Sequence, residues 1–532
     1  MNRGLALLIA VAAILAAPVF IVALSWLAPQ SGLWAHFADT LLAPMLVNTL
    51  VLLLGVTVGA GLLGTALAWL VTLCDYPGRR WFEWLFFLPF VLPAYVVAFV
   101  YLGLFDFAGP VQSFLHAQFA FERIDIRSGH LAVIVVFTAV FYPYVYMLAR
   151  VGFQSQRHSL LEAAQTLGAS NAGIFWRVSL PLARPAIVAG ITLVLMETLA
   201  DFGVVSMFNY DTFTTVIYSA WEDYRSVEMA AQVASLLVLL SVLLIVVERY
   251  NRGRARFYTD QSRLTPPFKL TGGKAWAATG ASGLVVALTF VLPVGQLLVW
   301  AWQMFEHEWD AHYWTLMANS LMLGITAGLL AVGVALLLLT LKYRQGRRHA
   351  ASSFWVGLAS MGYALPGSVM AIGLLFLFWV LDKTLLVWLQ NSFGIERVLL
   401  VSGGLGVLLY AYLSRFIAVA IGPMEGAFES IRPSYIEAAQ TMGAGRFTVF
   451  RRVYLPLVMP GIATAFLLVS VDVMKELPAT YLLRPYGWDT LAIKVYELGA
   501  EGLYERASLP ALGLILISLV VLWGVKRLER KR

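Results

Sequence analysis

Charged residues and cysteine are both scarce in this chain. Asp, Glu, Lys and Arg make up 13% of its 532 residues, hydrophobic residues make up 60%, and the mean hydropathy is +0.79. Soluble domains carry about 25% charged residues, so this composition excludes an ordinary soluble protein. The single cysteine, Cys74, excludes an intrachain disulfide. We therefore expect a membrane protein that is embedded in the lipid bilayer.

Nucleotide-binding and catalytic patterns are also missing. The sequence contains no GxxxxGK[ST], the loop that holds nucleotide phosphates, and no evident set of nucleophile, base and orienting residue. The one glycine fingerprint, GAGLLG from Gly59 to Gly64, lies inside an apolar run with no strand before it. Together with Gly55 it favours close helix packing in lipid over dinucleotide binding. The chain is predicted not to be an enzyme and to bind no cofactor itself.

Long apolar runs predict an all-α, polytopic membrane protein with about twelve transmembrane helices. The first run is longer than the roughly 7 to 15 residues of a signal-peptide core, so it is interpreted as a spanning helix. The expected spans lie near residues 5–27, 44–73, 82–105, 130–150, 185–208, 231–248, 275–302, 316–341, 354–381, 396–420, 459–478 and 507–525.

Basic residues accumulate on one side of these spans. They include GRR at Gly78–Arg80, KYRQGRR at Lys342–Arg348 and the terminal KRLERKR. The positive-inside rule then places both termini of a multi-pass protein in the cytoplasm. This distribution explains the net charge of +7 without a nucleic-acid partner.

The chain also looks duplicated. A basic linker rich in Pro and Gly, 251–274, separates a first transmembrane domain, 1–250, from a second one, 275–532. Stretches such as LPAYVVAFVYLGLF and LPGSVMAIGLLFLF match between the halves. Because each half has about six spans, both have the same orientation and are related by an axis along the membrane normal.

One polar loop is repeated, at residues 159–184 and again at 434–459. Over 26 residues from Glu162 and from Glu437, 15 are identical without a gap. Ser159 and Ser434 lie three positions before these Glu residues, which is the capping-box spacing and predicts the start of a short helix. Gly168 and Gly443 are placed to end that helix in the left-handed conformation.

Two interpretations of this loop are open from the residues alone. An Ala-rich helix flanked by Leu, Met and Arg could rest on the lipid surface as an amphipathic connector. Alternatively, it could fit a groove on a partner protein. The duplication favours a partner, since connectors have little reason to stay alike, whereas two surfaces that fit the same partner do.

At these residues the chain resembles the membrane subunits of ABC importers, whose signature is EAA, a Gly four residues later, and a hydrophobic-Leu-Pro. The matching positions are Glu162, Ala163, Ala164, Gly168, Leu180 and Pro181, and Glu437, Ala438, Ala439, Gly443, Leu455 and Pro456. The resemblance implies two tandem six-helix repeats of the type I importer fold and a location in the inner (plasma) membrane of a bacterial cell. It also implies that the loops are coupling helices on two copies of a cytoplasmic ABC ATPase, which bind ATP and Mg, and that a periplasmic or extracellular substrate-binding protein delivers the substrate.

Four carboxylates lie at matched positions of the fifth span of each half. Glu197 corresponds to Asp472, and Asp201 corresponds to Glu476. Within each half the two acids are spaced i, i+4, so both are predicted to lie on one face of their helix. Glu197 lies about 18 Å along the helix from Pro185, at 1.5 Å per residue. These acids either line a translocation pathway for a hard cation or form structural pairs, for example with Lys475, and the residues leave both interpretations open.

The sequences LADFG and KELPAT around these acids are similar to those of fused, two-domain ferric-iron permeases, and this resemblance extends over nearly the whole chain. It implies ferric iron as the substrate, with thiamine or polyamine permeases as the alternative; an ion-coupled secondary transporter is a further one. A second acidic cluster, FEHEWDAHYW, contains five possible metal ligands. It is interpreted first as an interfacial loop. Its members are Glu306, His307, Glu308, Asp310 and His312.

Overall fold

The computed structural model describes residues 3–27, 32–119, 125–156, 158–252, 268–345, 349–393 and 404–529. Most of the predicted linker and the beginning of the span expected near 396–420 lie outside these ranges. The described chain is almost entirely helical, which confirms the all-α prediction.

Thirteen helices form the first half of the described chain. Their bounds are α1 (Arg3–Leu24), α2 (Gly32–Thr40), α3 (Leu42–Leu73), α4 (Arg79–Leu85), α5 (Ala94–Leu104), α6 (Pro110–Phe119), α7 (His130–Gln154), α8 (His158–Thr166), α9 (Asn171–Ile174), α10 (Leu180–Ala200), α11 (Gly203–Met207), α12 (Phe213–Glu222) and α13 (Val227–Arg252).

Another thirteen helices form the second half. Their bounds are α14 (Gly273–Val286), α15 (Leu292–Glu308), α16 (Ala311–Arg344), α17 (Ala350–Ala359), α18 (Gly367–Leu381), α19 (Val387–Phe393), α20 (Leu405–Ser430), α21 (Pro433–Thr441), α22 (Arg446–Val449), α23 (Leu455–Lys475), α24 (Pro478–Leu483), α25 (Leu491–Ala500) and α26 (Tyr504–Glu529).

Short 3₁₀ segments, π segments and one strand pair complete the described secondary structure. The 3₁₀ segments are Ser25–Leu27, Leu88–Val91, Ile126–Ser128 and Ser360–Ala364, and the π segments are Phe175–Ser179, Ala287–Val291, Asp382–Leu386 and Phe450–Tyr454. The strands β1 (Cys74–Asp75) and β2 (Phe268–Lys269) pair in parallel. This pairing fixes the end of the linker against the first half.

The number of membrane spans agrees with the sequence. Eleven described helices are long and apolar enough to cross a bilayer, and a bent pair, Arg79–Val91 with Ala94–Leu104, makes up to twelve. Several expected spans have different boundaries, and the one near 396–420 extends to Ser430. The span near 82–105 bends by 90° before Ala94, the one near 354–381 is interrupted by Ser360–Ala364, and the one near 185–208 ends at Ala200. A Leu-Pro sequence lies at the first two breaks, where proline has no N–H for a continuous helix.

The two halves repeat the same order of helices. Each helix from α3 to α13 has a counterpart from α16 to α26, including the short helices of the loops. Packing is repeated too, since α3 packs against α7 and α10, and α16 packs against α20 and α23. A Cβ on Gly64 would come within 2.8 Å of the carbonyl oxygen of Tyr142 in α7, so the glycine-rich segment serves close helix packing as predicted.

The first span of each half packs against the other half. Helix α1 lies against α17 and α18 of the second half, while α15 contacts α5 of the first half. The two large hydrophobic clusters consequently contain residues from either side of the linker. The division at 251–274 remains a prediction about the duplication, and the folded halves interlock across it.

Candidate functional sites

The paired loops, residues 159–184 and 434–459, contain the short helices α8 and α21. Helix α21 begins at Pro433 with Arg432 as its N-cap, and no side chain caps it. The capping box expected from Ser434 is therefore wrong. Proline is favoured at the first helical position because its φ is already fixed, so the helix begins before Ser434. Helix α8 likewise begins at His158, and the side chain of Ser159 lies outside the described part.

Both loop helices end in the same way. Gly168 and Gly443 each have a φ of +82°. In each loop, the backbone amide after the glycine donates to the carbonyl oxygen five residues earlier. Ala169 N donates to Ala164 O, and Ala444 N donates to Ala439 O, each at 3.0 Å. This six-to-one hydrogen bond defines the Schellman ending and requires a residue that tolerates positive φ. The predicted glycine stop is confirmed in both copies.

Large apolar side chains are exposed on both loop helices at matched positions. Leu167 is 88% exposed and Met442, its counterpart, is 81% exposed. Leu160 and Tyr435, each seven residues earlier in its loop, form a second pair of exposed side chains. Glu162 and Glu437 are also exposed, and the alanines beside them leave a low surface between the larger side chains. The two helices thus present nearly equivalent surfaces.

The rest of the loop motif lies where each loop joins its long helix. Leu180 and Leu455 are the first residues of α10 and α23, and Pro181 and Pro456 follow them. A π segment precedes each Leu-Pro, at Phe175–Ser179 and Phe450–Tyr454. Proline cannot donate to the carbonyl four residues earlier, so the wider π turn accommodates the lost hydrogen bond. Each loop is consequently joined to a helix of 21 residues, about 31 Å long.

The four predicted carboxylates line one cavity between the two halves, the interface cavity, whose volume is about 240 Å³. It lies at the ends of α10 and α23 that are far from the paired loops. Its polar lining comes from both halves and consists of Tyr95, Tyr144, Glu197, Asp201, Tyr363, Arg415, Asp472, Lys475 and Glu476. The sequence correctly placed the acids together, although it did not indicate the tyrosines or Arg415.

Asp201 and Glu476 do not share a helical face with their i−4 partners. They lie just beyond α10 and α23, in extended backbone, so the face prediction is wrong for them. Instead, each caps the next short helix. Asp201 Oδ1 accepts from Val204 N at 2.8 Å, and Glu476 accepts from the backbone amides of Ala479 and Thr480 at 2.9 and 2.8 Å. A carboxylate there satisfies amides that the helix leaves free.

Glu476 has a further structural partner. Arg415 Nη1 of α20 lies 2.6 Å from its Oε1. The pair packs over Gly367, where a Cβ would come within 2.4 Å of both side chains. The ion pair with Lys475 that the sequence left open does not form, because no acidic oxygen of the described residues lies within 4 Å of its Nζ. Arg415 could have been found from the sequence, because it is the one arginine of the largely apolar helix α20 and a charge there needs a partner.

Glu197 and Asp472 differ from the two capping acids. Each lies in the last turn of its helix, is half-buried and faces the interface cavity. Within the described ranges neither carboxylate accepts a hydrogen bond or forms an ion pair. Tyr144 and Tyr363, one from each half, lie close enough to interact electrostatically with both acids.

An aromatic layer joins the two halves beside the interface cavity. It consists of Phe202 and Tyr218 from the first half and Tyr481 and Tyr496 from the second. Ring centroids of Tyr218 and Tyr481 are 5.5 Å apart, and those of Phe202 and Tyr496 are 5.4 Å apart. Phe202 also lines the cavity. The layer therefore joins the halves at the edge of the cavity.

The second acidic cluster has structural partners. Glu308 pairs with Arg506, and Asp310 Oδ1 caps α16 by accepting from Tyr313 N at 2.8 Å. Across the described residues, no three His, Cys, Asp or Glu side chains are grouped closely enough to hold a metal ion, here or in the interface cavity. The interpretation as a loop is wrong for most of the segment, because Glu306, His307 and Glu308 lie in α15 and His312 lies in α16, and only Trp309 and Asp310 connect the two helices.

The duplicated spans, the cavity between them and the matched loops define a membrane transport protein built from two tandem domains. A family model described as binding-protein-dependent transport system inner membrane component matches residues 60–256 and 331–532. The chain belongs to this family of ABC transporter permeases. It is a multi-pass inner-membrane component that is not itself catalytic, and the family works with ATPase and binding-protein partners.

Similar proteins differ in how much of this chain they match. An Fe(3+)-transport system permease protein of Haemophilus influenzae is 28% identical over 493 residues, covering 91% of this chain and 90% of that protein. A probable ABC transporter permease of Sinorhizobium fredii is 24% identical over 86% of this chain and 82% of its own length. The sulfate transport system permease protein CysT of Salmonella typhimurium is 29% identical over 40% of this chain and 78% of its own length.

Proposed function

We propose that this permease imports ferric iron by alternating access, driven by ATP hydrolysis on two copies of a cytoplasmic ABC ATPase. The ferric-iron permease that matches both halves supports this substrate, whereas the sulfate permease matches only 40% of the chain. The four carboxylates of the interface cavity agree with a cationic substrate. A periplasmic or extracellular binding protein delivers it, and ATP and Mg bind to the ATPase.

The paired loops are the ATPase docking sites in this proposal. Two equivalent exposed surfaces suit two copies of one partner, and each surface is joined through α10 or α23 to the interface cavity. A movement of either loop can then be transmitted along one continuous helix to the acids at its other end. Docking of the ATPase on the cytoplasmic side places both chain termini in the cytoplasm.

The substrate is tested with the assembled complex in lipid nanodiscs. ATP hydrolysis is measured with the iron-loaded binding protein and with binding proteins loaded with sulfate, thiamine or a polyamine. We expect stimulation by the iron form alone. Stimulation by another form without any by the iron form would overturn the ferric-iron proposal.

Docking is tested by charge substitutions on the loops. Leu167→Asp and Met442→Asp each place a carboxylate on the exposed surface, and their combination should remove most ATPase from the purified complex. Tyr486→Asp is the matched control, since Tyr486 is fully exposed but lies outside the loops. Full ATPase retention by the double variant would contradict docking at these helices.

A further inference from the structure

The chain breaks at the ends of α10 and α23 are built differently, although the two halves are duplicates. Helix α10 ends before Asp201, and α23 ends before Glu476. The Glu476 carboxylate accepts from two backbone amides of α24, from the Thr480 hydroxyl at 2.6 Å and from Arg415 of α20 at 2.6 Å. Asp201 accepts from Val204 N, but it has no ion-pair partner among the described residues. The break in the second half is therefore held by more bonds.

The residues that form this contact in the second half are all replaced in the first. Gly367 begins α18, and a Cβ there would overlap the side chains of both Arg415 and Glu476. The equivalent positions of the first half, at the start of α5, within α7 and after α10, hold Ala94, Val140 and Asp201. The first half thus lacks the arginine and has a Cβ where the second half leaves room for it. The ion pair is a feature of the second half alone.

The short helices that follow the two breaks are attached to different elements. Helix α24 packs against α18 and α20 of its own half, and the Tyr412 hydroxyl of α20 lies 2.7 Å from Thr480 Oγ1 of α24. Helix α11 packs against α5 and also against α25 of the second half, where Ser206 Oγ lies 2.7 Å from the Tyr496 hydroxyl. A movement of α10 relative to α25 is therefore expected to bend the chain at its break, whereas α20, α23 and α24 are bonded into one unit.

We propose that Arg415 is a positioning residue for transport, which keeps the break after α23 rigid so that only the break after α10 bends when the paired loops move. This inference rests on the alternating-access function proposed above and adds which half of the molecule bends. Glu476 is only 5% exposed. Separating it from Arg415 would leave an unpaired buried charge, which is strongly unfavourable, so the ion pair persists during the movement. No ion pair opposes bending at Asp201.

A purely structural role is the competing interpretation, since Arg415 also neutralises a buried acid. The two roles differ in what they predict for the first half. An ion pair that only stabilises the fold would be harmless if it were copied to the break after α10. An ion pair that prevents bending would obstruct transport there.

Hydrogen exchange of the complete permease and ATPase complex, followed by mass spectrometry, measures the two breaks separately. Amides of α11 should exchange about tenfold faster than those of α24. Arg415→Met with Glu476→Gln should speed exchange in α24 about tenfold, whereas Arg415→Lys keeps the charge and should retain slow exchange. Lys342→Met is the matched control, because it removes another ion pair of α20, with Glu425, and should leave α24 unchanged.

Copying the ion pair into the first half tests its role in transport. Val140→Arg, combined with Ala94→Gly and Asp201→Glu, reproduces the residues of the second half. This variant should exchange α11 amides more slowly and lower iron uptake severalfold while the ATPase subunit stays bound. Val140→Met, combined with the same two substitutions, is matched in length without the charge and should keep most uptake.

Opposite results overturn the inference. Unchanged exchange of α24 in the Arg415→Met/Glu476→Gln variant would show that the ion pair does not hold the break. Slower exchange of α11 with normal uptake in the Val140→Arg variant would show that transport does not require bending there. If the iron-loaded binding protein stimulates ATP hydrolysis by the unchanged complex when either result is obtained, the proposed function stands and only the positioning role is rejected.

Discussion

Two glycines determine how the short helices α8 and α21 of the paired loops end. Gly168 and Gly443 adopt a φ of +82°, and a Cβ at either position would meet nothing within 4 Å. Substitution is therefore opposed by backbone conformation and not by crowding. Alanine in the left-handed region costs about 1–2 kcal/mol, and β-branched valine should be worse. We expect Gly168→Val with Gly443→Val to abolish transport while the protein still inserts into the membrane, as measured by uptake and membrane immunoblots.

Asparagine provides the matched control at these two positions, because it tolerates the left-handed conformation. Gly168→Asn with Gly443→Asn should retain much more uptake than the valine variant, although it adds a larger side chain. Equal loss in both variants would argue that side-chain volume, through an obstructed partner surface, matters more than the helix ending.

The lone cysteine should react slowly with alkylating reagents. Burial raises the pKa of Cys74 to about 11. The thiolate is the reactive form, so at pH 7.5 its population is on the order of a hundredfold lower than that of a free cysteine with a pKa of about 8.5. Maleimide labelling of the purified protein should keep rising with pH beyond pH 9, where labelling of a free thiol levels off. Rapid labelling at pH 7.5 would contradict this.

At the scale of elements, we predict that the aromatic layer beside the interface cavity is a barrier to entry into it. Tyr481 contributes to it through the rings of Phe202, Tyr218 and Tyr496. Tyr481→Ala should loosen the layer and increase labelling of Ala200→Cys by a membrane-impermeant maleimide several-fold. The slow reaction of buried Cys74 keeps the background low. Unchanged labelling would place the barrier elsewhere.

Sequence patterns predicted the elements best where a local rule decides the outcome. Gly168 and Gly443 stop their helices because few other residues accept positive φ. The N-cap predicted at Ser434 was wrong, because Pro433 starts the helix one residue earlier and the capping-box spacing takes no account of it. Asp201 was placed on the wrong face because helical spacing assumes an uninterrupted helix, and α10 ends one residue before it. The pairing of Arg415 with Glu476 depends on tertiary packing, which spacing along the chain does not encode.

At the scale of the whole molecule, the repeated loops revealed the duplication, but nothing in the sequence revealed that helices of each half pack against the other half. Hydrophobic spans reveal that helices cross the bilayer, whereas the partner of each span depends on shape. Helix α1 packs on α17 and α18 of the second half, and α15 packs on α5 of the first. Each core is therefore completed by the other half, and the interface cavity between them depends on both.

This interlocking predicts how a divided protein behaves. Cutting the gene within the linker at 251–274 and expressing the two halves together should yield halves that copurify through a tag on either one. Expressed singly, each half should accumulate to a much lower level, because α1 then lacks α17 and α18 and exposes its small residues to lipid, while α15 keeps its packing on α26 but loses its contact with α5. Immunoblots of membranes and tag purification measure both effects. If each half alone were as abundant and monodisperse as the pair, the crossed packing would be dispensable for folding, and the halves would have to be regarded as independent domains.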